Sequence, residues 1–446
     1  MKTDTITQGS FRDTVATVDK QGKRVWVYPT QPKGKLYNLR TIVTLFYLLI
    51  FFGLPFIKVN GHPFFLINVI ERRFILFGQI FWPQDFFIFG LGMVLFIVFV
   101  ALFTVVFGRA FCGWACPQTI FLEMVFRRIE YWIEGDGPSQ KLLDKAPWDN
   151  RKIIKKSLKW AIFWTISFLI ANTFLAYVIG IDELAKIITD NPANHVGGLV
   201  SLTVFTTIFF FVFAWLREQV CTTICPYGRM QGVLLDRNSI VVAYDYLRGE
   251  KRGKFKKNEI RTSGDCIDCM QCVRVCPTGI DIRNGTQMEC INCTACIDVC
   301  NHMMDAVGLE PNLIRFASEA NIAEKKKTRF TPRIIAYSIV MVLLLAAEVY
   351  LLASRTEIGI TILRTPGQLF QEQPDGRLSN LYNYKFLNKT YQNKSIILKP
   401  ENFNGEIRLV GGKKLEIAKE SYASGTLFVF IPGDQITKRK TPIHIG

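Results

Sequence analysis

Five runs of near-uniform apolar character divide the chain, at about 39–57, 86–107, 158–180, 197–216 and 334–353. Each is long enough to cross a bilayer as a helix, which takes about 20 residues. A weaker stretch at 64–82 is broken by Glu71, Arg72 and Arg73. Charge inside an apolar run is costly in lipid, so this stretch is expected to be an interfacial amphipathic segment or a packed loop, not a sixth span. Beyond the fifth run the period changes. Short alternating or β-rich runs at 395–398, 406–410 and 426–431 are separated by turn signals such as Pro374-Asp375-Gly376, Asn404-Gly405 and Gly411-Gly412. Their spacing over 360–446 predicts a small β-sandwich.

The polar positions orient the spans. Arg12, Lys20, Lys23, Arg24, Lys33, Lys35 and Arg40 flank the start of the first. Arg127, Arg128, Lys141, Lys145, Arg151, Lys152, Lys155 and Lys156 separate the second from the third, and Lys325, Lys326, Lys327, Arg329 and Arg333 precede the fifth. The segment 181–196 instead carries Asp182, Glu183 and Asp190 against Lys186 alone. Basic residues mark cytoplasmic loops. The expected layout is therefore a cytoplasmic segment 1–38, a four-helix membrane region 39–216, a cytoplasmic segment 217–333, a fifth span 334–353 and an exported domain 360–446. Residues 1–38 have no apolar core, so no cleavable signal peptide is expected. Within the spans, Asn172 is central and is expected to bond a neighbouring helix.

Composition agrees with a membrane protein: 49% of residues are hydrophobic, and 36 are Phe. The net charge of +17 would suit a nucleic-acid partner in a soluble protein. Here Lys and Arg cluster beside the spans, so no nucleic-acid partner is expected.

All 12 cysteines fall into four motifs. Cys266, Cys269, Cys272 and Cys276-Pro277 make C-x2-C-x2-C-x3-C-P, and Cys290, Cys293, Cys296 and Cys300 repeat the spacing. In a two-cluster ferredoxin each such run gives three thiolates to one [4Fe–4S] cube and its fourth to the other. The expected sets are Cys266, Cys269, Cys272 and Cys300 for one cluster, and Cys290, Cys293, Cys296 and Cys276 for the second, within a ferredoxin-like domain at about 258–305. Zinc would use two pairs per site and has no need of the third cysteine. Asn301 replaces the proline in the second run, which weakens the local turn but removes no ligand.

The other two motifs are C-x3-C-P pairs, Cys112/Cys116-Pro117 and Cys221/Cys225-Pro226, each just past the end of a span. Residues four apart share a helix face, so each pair can present two thiolates, with proline ending or kinking the helix. The second and fourth spans run the same way, so the two pairs meet at one depth if those helices are neighbours. Four thiols could hold a further Fe–S cluster or Cu(I), or cycle as redox-active pairs. Buried structural cysteines are the plain alternative. Of four histidines, His62, His195, His302 and His444, none lies in a span, which argues against integral haem.

Phe111-Cys112-Gly113-Trp114-Ala115-Cys116-Pro117-Gln118 and Cys221-Thr222-Thr223-Ile224-Cys225-Pro226-Tyr227-Gly228-Arg229 resemble two signatures of the cytochrome c oxidase accessory proteins of the CcoG/FixG/RdxA type. The segments 19–29 and 81–85 resemble that family too, and Asn380-Leu381-Tyr382-Asn383-Tyr384 resembles part of its C-terminal domain. Residues 305–311 depart from the pattern. The resemblance implies a polytopic α-helical membrane protein with an inserted two-[4Fe–4S] ferredoxin-like domain and a C-terminal immunoglobulin-like β-sandwich. It implies a bacterial inner-membrane oxidoreductase that reduces Cu(II) to Cu(I) during assembly of a cbb(3)-type oxidase. Assembly factors or oxidase subunits would be partners, and the electron donor stays open. Cys112, Cys116, Cys221 and Cys225 become the catalytic candidates. The likeness also extends to membrane subunits feeding periplasmic reductases, so a quinol-linked electron conduit is the second reading and a non-catalytic assembly scaffold the third.

Overall fold

A computed structural model gives the architecture over residues 16–19, 21–59, 61–68, 73–82, 85–255, 263–325, 331–367, 370–411, 415–419, 421–436 and 442–446. Arg12, Lys20, Glu71, Arg72, Pro83, Gln84, Lys326, Lys327, Arg329 and Gly412 lie outside the described residues, as does the start of the expected ferredoxin segment at 258–262. The chain forms two compact units, Met1–Phe56 with Gly92–Leu345, and Ile57–Leu91 with Ala346–Gly446.

Five helices are long and apolar enough to cross a membrane: Lys35–Phe56, Phe86–Phe107, Asn150–Ile179, Val196–Leu216 and Pro332–Ala353. The third starts well before its apolar run. Asp149 caps it by accepting from Lys152 N at 2.8 Å. Lys156 and Lys159 bury their stems and each place Nζ 2.9 Å from Glu134. Asn172 does not reach a neighbouring helix; its Nδ2 donates to Phe168 O of its own helix at 2.7 Å, the nearest acceptor one turn back. In the first unit the first, third and fourth helices pack on the segment 120–129 through Phe121, Phe126, Phe163 and Phe213. The Phe126 ring lies 4.7 Å from that of Phe163 and 4.6 Å from that of Phe213. Such pairs add about 1 kcal/mol each beyond area burial.

The ferredoxin segment packs around Val242, Ile282, Ile297 and Ile314 beside the antiparallel pair Val241–Tyr244 and Ile314–Ala317. Helix Ala295–Val307 passes straight through Cys300-Asn301, whereas Gln271–Arg274 stops short of Cys276-Pro277. Proline has no N–H to continue a helix and asparagine has, so the loss of the second proline lengthens this helix. At 305–311, Gly308 ends it with φ 71° and Leu309 N returns to Met304 O at 3.0 Å.

In the second unit the weaker stretch, expected as an interfacial amphipathic segment or a packed loop, forms strands over its described residues. It is an antiparallel meander of Phe65–Asn68, Arg73–Leu76 and Gln79–Phe81. Phe77 and Gly78, at φ 52° and 74°, make the tight turn, and Leu66, Ile75 and Ile80 close a small core with Trp82 and Tyr391. The C-terminal domain has a sheet in the order Glu406–Leu409, Tyr422–Pro432, Arg377–Asn388, Ile358–Arg364, with Gln371–Glu372 also on Arg377–Asn388. A second sheet pairs Lys394–Ile396 with Leu415–Ile417. Phe386, Leu427 and Val429 are fully buried in this domain.

Candidate functional site

The two ferredoxin runs wind alike. Asp268 and Met270 have positive φ in the first, and Asn292 and Thr294 have positive φ at the equivalent positions of the second. Left-handed residues between right-handed ones curl the backbone and turn its N–H groups inward, the arrangement that cradles Fe–S clusters. One resulting cavity is lined by Cys266, Cys269, Cys272 and Cys300. An adjoining one is lined by Cys276, Cys290, Cys293 and Cys296, with Cys272 on both walls. Cys300 lines the first of these cavities and Cys276 the second. Among the described residues no three His, Cys, Asp or Glu converge as ligands of a single ion. Thiols set around a cavity suit a multi-atom cube better than a zinc ion, which needs four ligands within about 2.3 Å of one point.

Burial pushes the Cys272, Cys290 and Cys300 thiols up to about 12 and Cys293 up to about 11; Arg40 partly opposes the rise at Cys293. Such thiols are neutral at physiological pH, and bound iron would hold them as thiolates, so loading releases protons. The donor set therefore fits the cofactor.

The C-x3-C-P pairs share a geometry that differs from four residues along one helix. Cys112 lies in helix Ala110–Trp114 and Cys221 in the π-helical turn Val220–Ile224. Cys116 and Cys225 are extended, with ψ 125° and 112°, and each caps a new helix whose first residue is its proline. A residue before proline avoids the helical region, and proline is well suited to open a helix. In both pairs the second cysteine's N–H bonds five residues back, Cys116 to Phe111 O at 2.9 Å and Cys225 to Val220 O at 2.7 Å.

Helix Pro226–Leu234 brings the two pairs into one region, with Gln231 on Cys112 and Gly228 against Cys221 O and Arg109. Cys112 and Cys221 each feel the charge of Cys116 and Cys225, and Cys221 feels that of Cys112. Burial raises Cys112 to about 11 and Cys221 to about 12. The junction is made by helix Pro226–Leu234, which folds back on the end of the second span, more than by packing of the second span on the fourth. Its Gln231, fully buried, accepts from Cys112 Sγ at 3.2 Å and from Arg109 Nε at 2.7 Å. Its Tyr227 hydroxyl meets Thr104 Oγ1 at 2.9 Å. Ahead of Cys221, Arg217 holds Glu130 through two 2.8 Å bonds, and Glu218 pairs with Arg24 at 3.1 Å and Arg127 at 3.3 Å. Burial would raise the Glu130 carboxyl, but Arg217, Lys159 and Arg127 outweigh it and hold it below its usual range. This network fixes the turn in which Cys221 N donates to Glu218 O at 3.1 Å.

Sequence reasoning treated Arg40 only as a flanking charge and passed over Arg109, Gln231 and Asp298. Asp298 accepts from Leu36 N at 3.2 Å and Tyr37 N at 2.8 Å, so the ferredoxin segment caps the first membrane helix. These roles join residues far apart in the chain and leave no local spacing. His302 is exposed.

Residues 216–319 match a 4Fe-4S dicluster domain and residues 89–135 a 4Fe-4S binding domain, so both C-x3-C-P pairs fall inside iron–sulfur matches. Residues 349–446 match the Ig-like fold at the C-terminus of FixG. The nitrogen fixation protein FixG of Rhizobium meliloti (strain 1021) is 32% identical over 432 residues, covering 88% of this chain and 82% of that protein. Protein RdxA of Cereibacter sphaeroides is 32% identical, covering 92% and 90%. Protein RdxB of the same organism is 33% identical, covering 82% and 80%. No solved structure matches the chain. The chain belongs to the FixG/RdxA family of membrane-bound iron–sulfur proteins.

Proposed function

We propose that this protein reduces Cu(II) to Cu(I) at Cys112, Cys116, Cys221 and Cys225, in support of cbb(3)-type oxidase assembly. The observation that carries the reading is that helix Pro226–Leu234, which opens at Cys225, returns Gln231 to Cys112 beside the ferredoxin segment. Cys266, Cys269, Cys272 and Cys300 would hold one [4Fe–4S] cluster, and Cys276, Cys290, Cys293 and Cys296 the other. Bound there, they supply one-electron carriers. Each turnover takes one electron from a reduced carrier protein and gives it to one Cu(II), with no bond made within the chain. Thiolates suit Cu(I) better than Cu(II), so the four-thiol site favours the product. A further Fe–S cluster at these thiols would serve the same outlet. The flanking charges support a bacterial inner-membrane setting, with all cysteines at the cytoplasmic face and the β-domain exported.

The test is Cu(I) formation, read with a Cu(I) chelator, by the purified cluster-loaded protein supplied with a reductant and Cu(II). Steady Cu(I) production is expected. Rapid reduction of the protein by quinol, with no reoxidation by Cu(II), would replace this reading with a quinol-linked conduit. A cluster-free variant that still supports oxidase assembly would point to a scaffold.

A further inference from the structure

The ferredoxin segment meets the four-thiol site beside Cys112. Gly113, next to Cys112, packs against Ile291-Asn292, between Cys290 and Cys293. A Cβ on Gly113 would overlap Ile291 O and come 3.0 Å from Asn292. Trp114 Nε1 donates to Asn292 O at 3.3 Å. Both Ile291 and Asn292 line the cavity of Cys276, Cys290, Cys293 and Cys296, and neither lines the cavity of Cys266, Cys269, Cys272 and Cys300.

Two buried cations stand at this contact. Arg40 is 3% exposed; its Nε donates to Gly113 O at 2.7 Å, and its Nη2 has no hydrogen-bond partner. An unpartnered buried guanidinium nitrogen is costly, and its charge is felt at Cys293. Arg109 is 4% exposed, bonds Gln231 and Gly228 O, and its charge is felt at both Cys112 and Cys290. The other cavity is served by cations that carry carboxylate partners: Arg283 with Asp281 and Asp268, and Arg248 with Asp265.

We propose that the cluster site of Cys276, Cys290, Cys293 and Cys296 is the junction that hands each electron to the four-thiol site, and that Arg40 is a positioning residue that raises its reduction potential. The order of use is then fixed: a donor reduces the site of Cys266, Cys269, Cys272 and Cys300 first, and one electron at a time moves inward past Gly113. A nearby positive charge stabilises the reduced, more negative form of a cluster, so it draws electrons toward the exit. The inference rests on the four thiols being that exit.

The experiment is an EPR-monitored redox titration of the full, cluster-loaded protein without copper. Cys269→Ala identifies the junction signal as the one that survives. Arg40→Gln is expected to lower the potential of that signal and leave the other in place, while Arg40→Lys, which keeps the charge, holds it near wild type. A shift in the other signal, or none in either, overturns the assignment; equal loss with Gln and Lys would mean that Arg40 acts through packing alone. Copper takes no part in the measurement, so failure of copper reduction and failure of this order are read separately.

Discussion

The eight cysteines of the ferredoxin segment and the four of the C-x3-C-P pairs reach their geometry by opposite routes. The first set is made locally. Two short runs curl at Asp268, Met270, Asn292 and Thr294, and only the crossing of Cys276 and Cys300 asks anything of the wider fold. The second set is made by tertiary structure. Cys112 and Cys221 meet because helix Pro226–Leu234 returns Gln231 to Cys112 and because Arg217 and Glu218 are pinned by Glu130, Arg24 and Arg127. A local site fails by losing a ligand. A tertiary site also fails by losing a brace remote from any ligand.

The sharpest break in that comparison is a ligand change. Cys290→Ser is expected to remove one cluster and about half of the eight ferredoxin irons, since each cube holds four. Iron and sulfide analysis checks it, and unchanged iron would refute the assignment. Next comes a brace. Glu130→Ala strips buried Arg217 of its two 2.8 Å bonds and leaves only the longer 3.6 Å pair with Glu218, which costs about 3 kcal/mol. Ferredoxin iron should persist while Cys221 and Cys225 become open to alkylation, read by mass spectrometry; protection of both would show that the network does not hold the site.

A third change touches neither thiol set and serves as their control. Asp85, buried, accepts from Lys389 Nζ at 2.6 Å and from Arg355 at 2.8 Å. Burial pulls its carboxyl upward, but these two cations hold it below the ordinary range. A carboxyl depressed in the fold adds stability that is full above its unfolded value and fades as pH falls through the folded one. The protection of Gln79–Phe81 from hydrogen exchange, corrected for the intrinsic pH dependence of exchange, should therefore be steady from neutrality down to the usual carboxylate range near about 4 and fall below it. Asp85→Asn should remove that step and about 2 kcal/mol of local protection at pH 7. The smallest effect is expected from Asp298→Ala, which strips the cap from Leu36 and Tyr37 at about 1 kcal/mol. A thermal melt lowered by a few degrees, with both clusters retained, is the expected result.

The same contrast explains what could be read from the sequence. Spacing of three and four gave the ferredoxin run because neighbouring residues wrap one cavity. The five spans were plain because lipid demands length and apolarity together. The third helix's early start was hidden, since Lys152, Lys156 and Lys159 look solvated until Glu134 and the carbonyls of Asp144 and Ala146 are seen beside them. The strands at 65–68, 73–76 and 79–81 were obscured because the charged run Glu71-Arg72-Arg73 breaks the apolar alternation in the sequence. The C-x3-C-P pairs looked helical on spacing, but proline acts on the residue before it and drew Cys116 and Cys225 out of the helix. Arg40 and Arg109 carried no signal beyond the usual basic flank of a span, because what distinguishes them is the partner supplied by folding.

Exit of electrons through the four thiols can be timed directly. Fully reduced, cluster-loaded protein can be mixed under anaerobic conditions with Cu(II) and a Cu(I) chelator, and cluster reoxidation followed by visible absorption in a single turnover. Fast reoxidation of wild type is expected, with one Cu(I) formed per electron lost, and at least about tenfold slower reoxidation in Cys112→Ser/Cys221→Ser with its ferredoxin iron intact. Equal rates in the two proteins would contradict it.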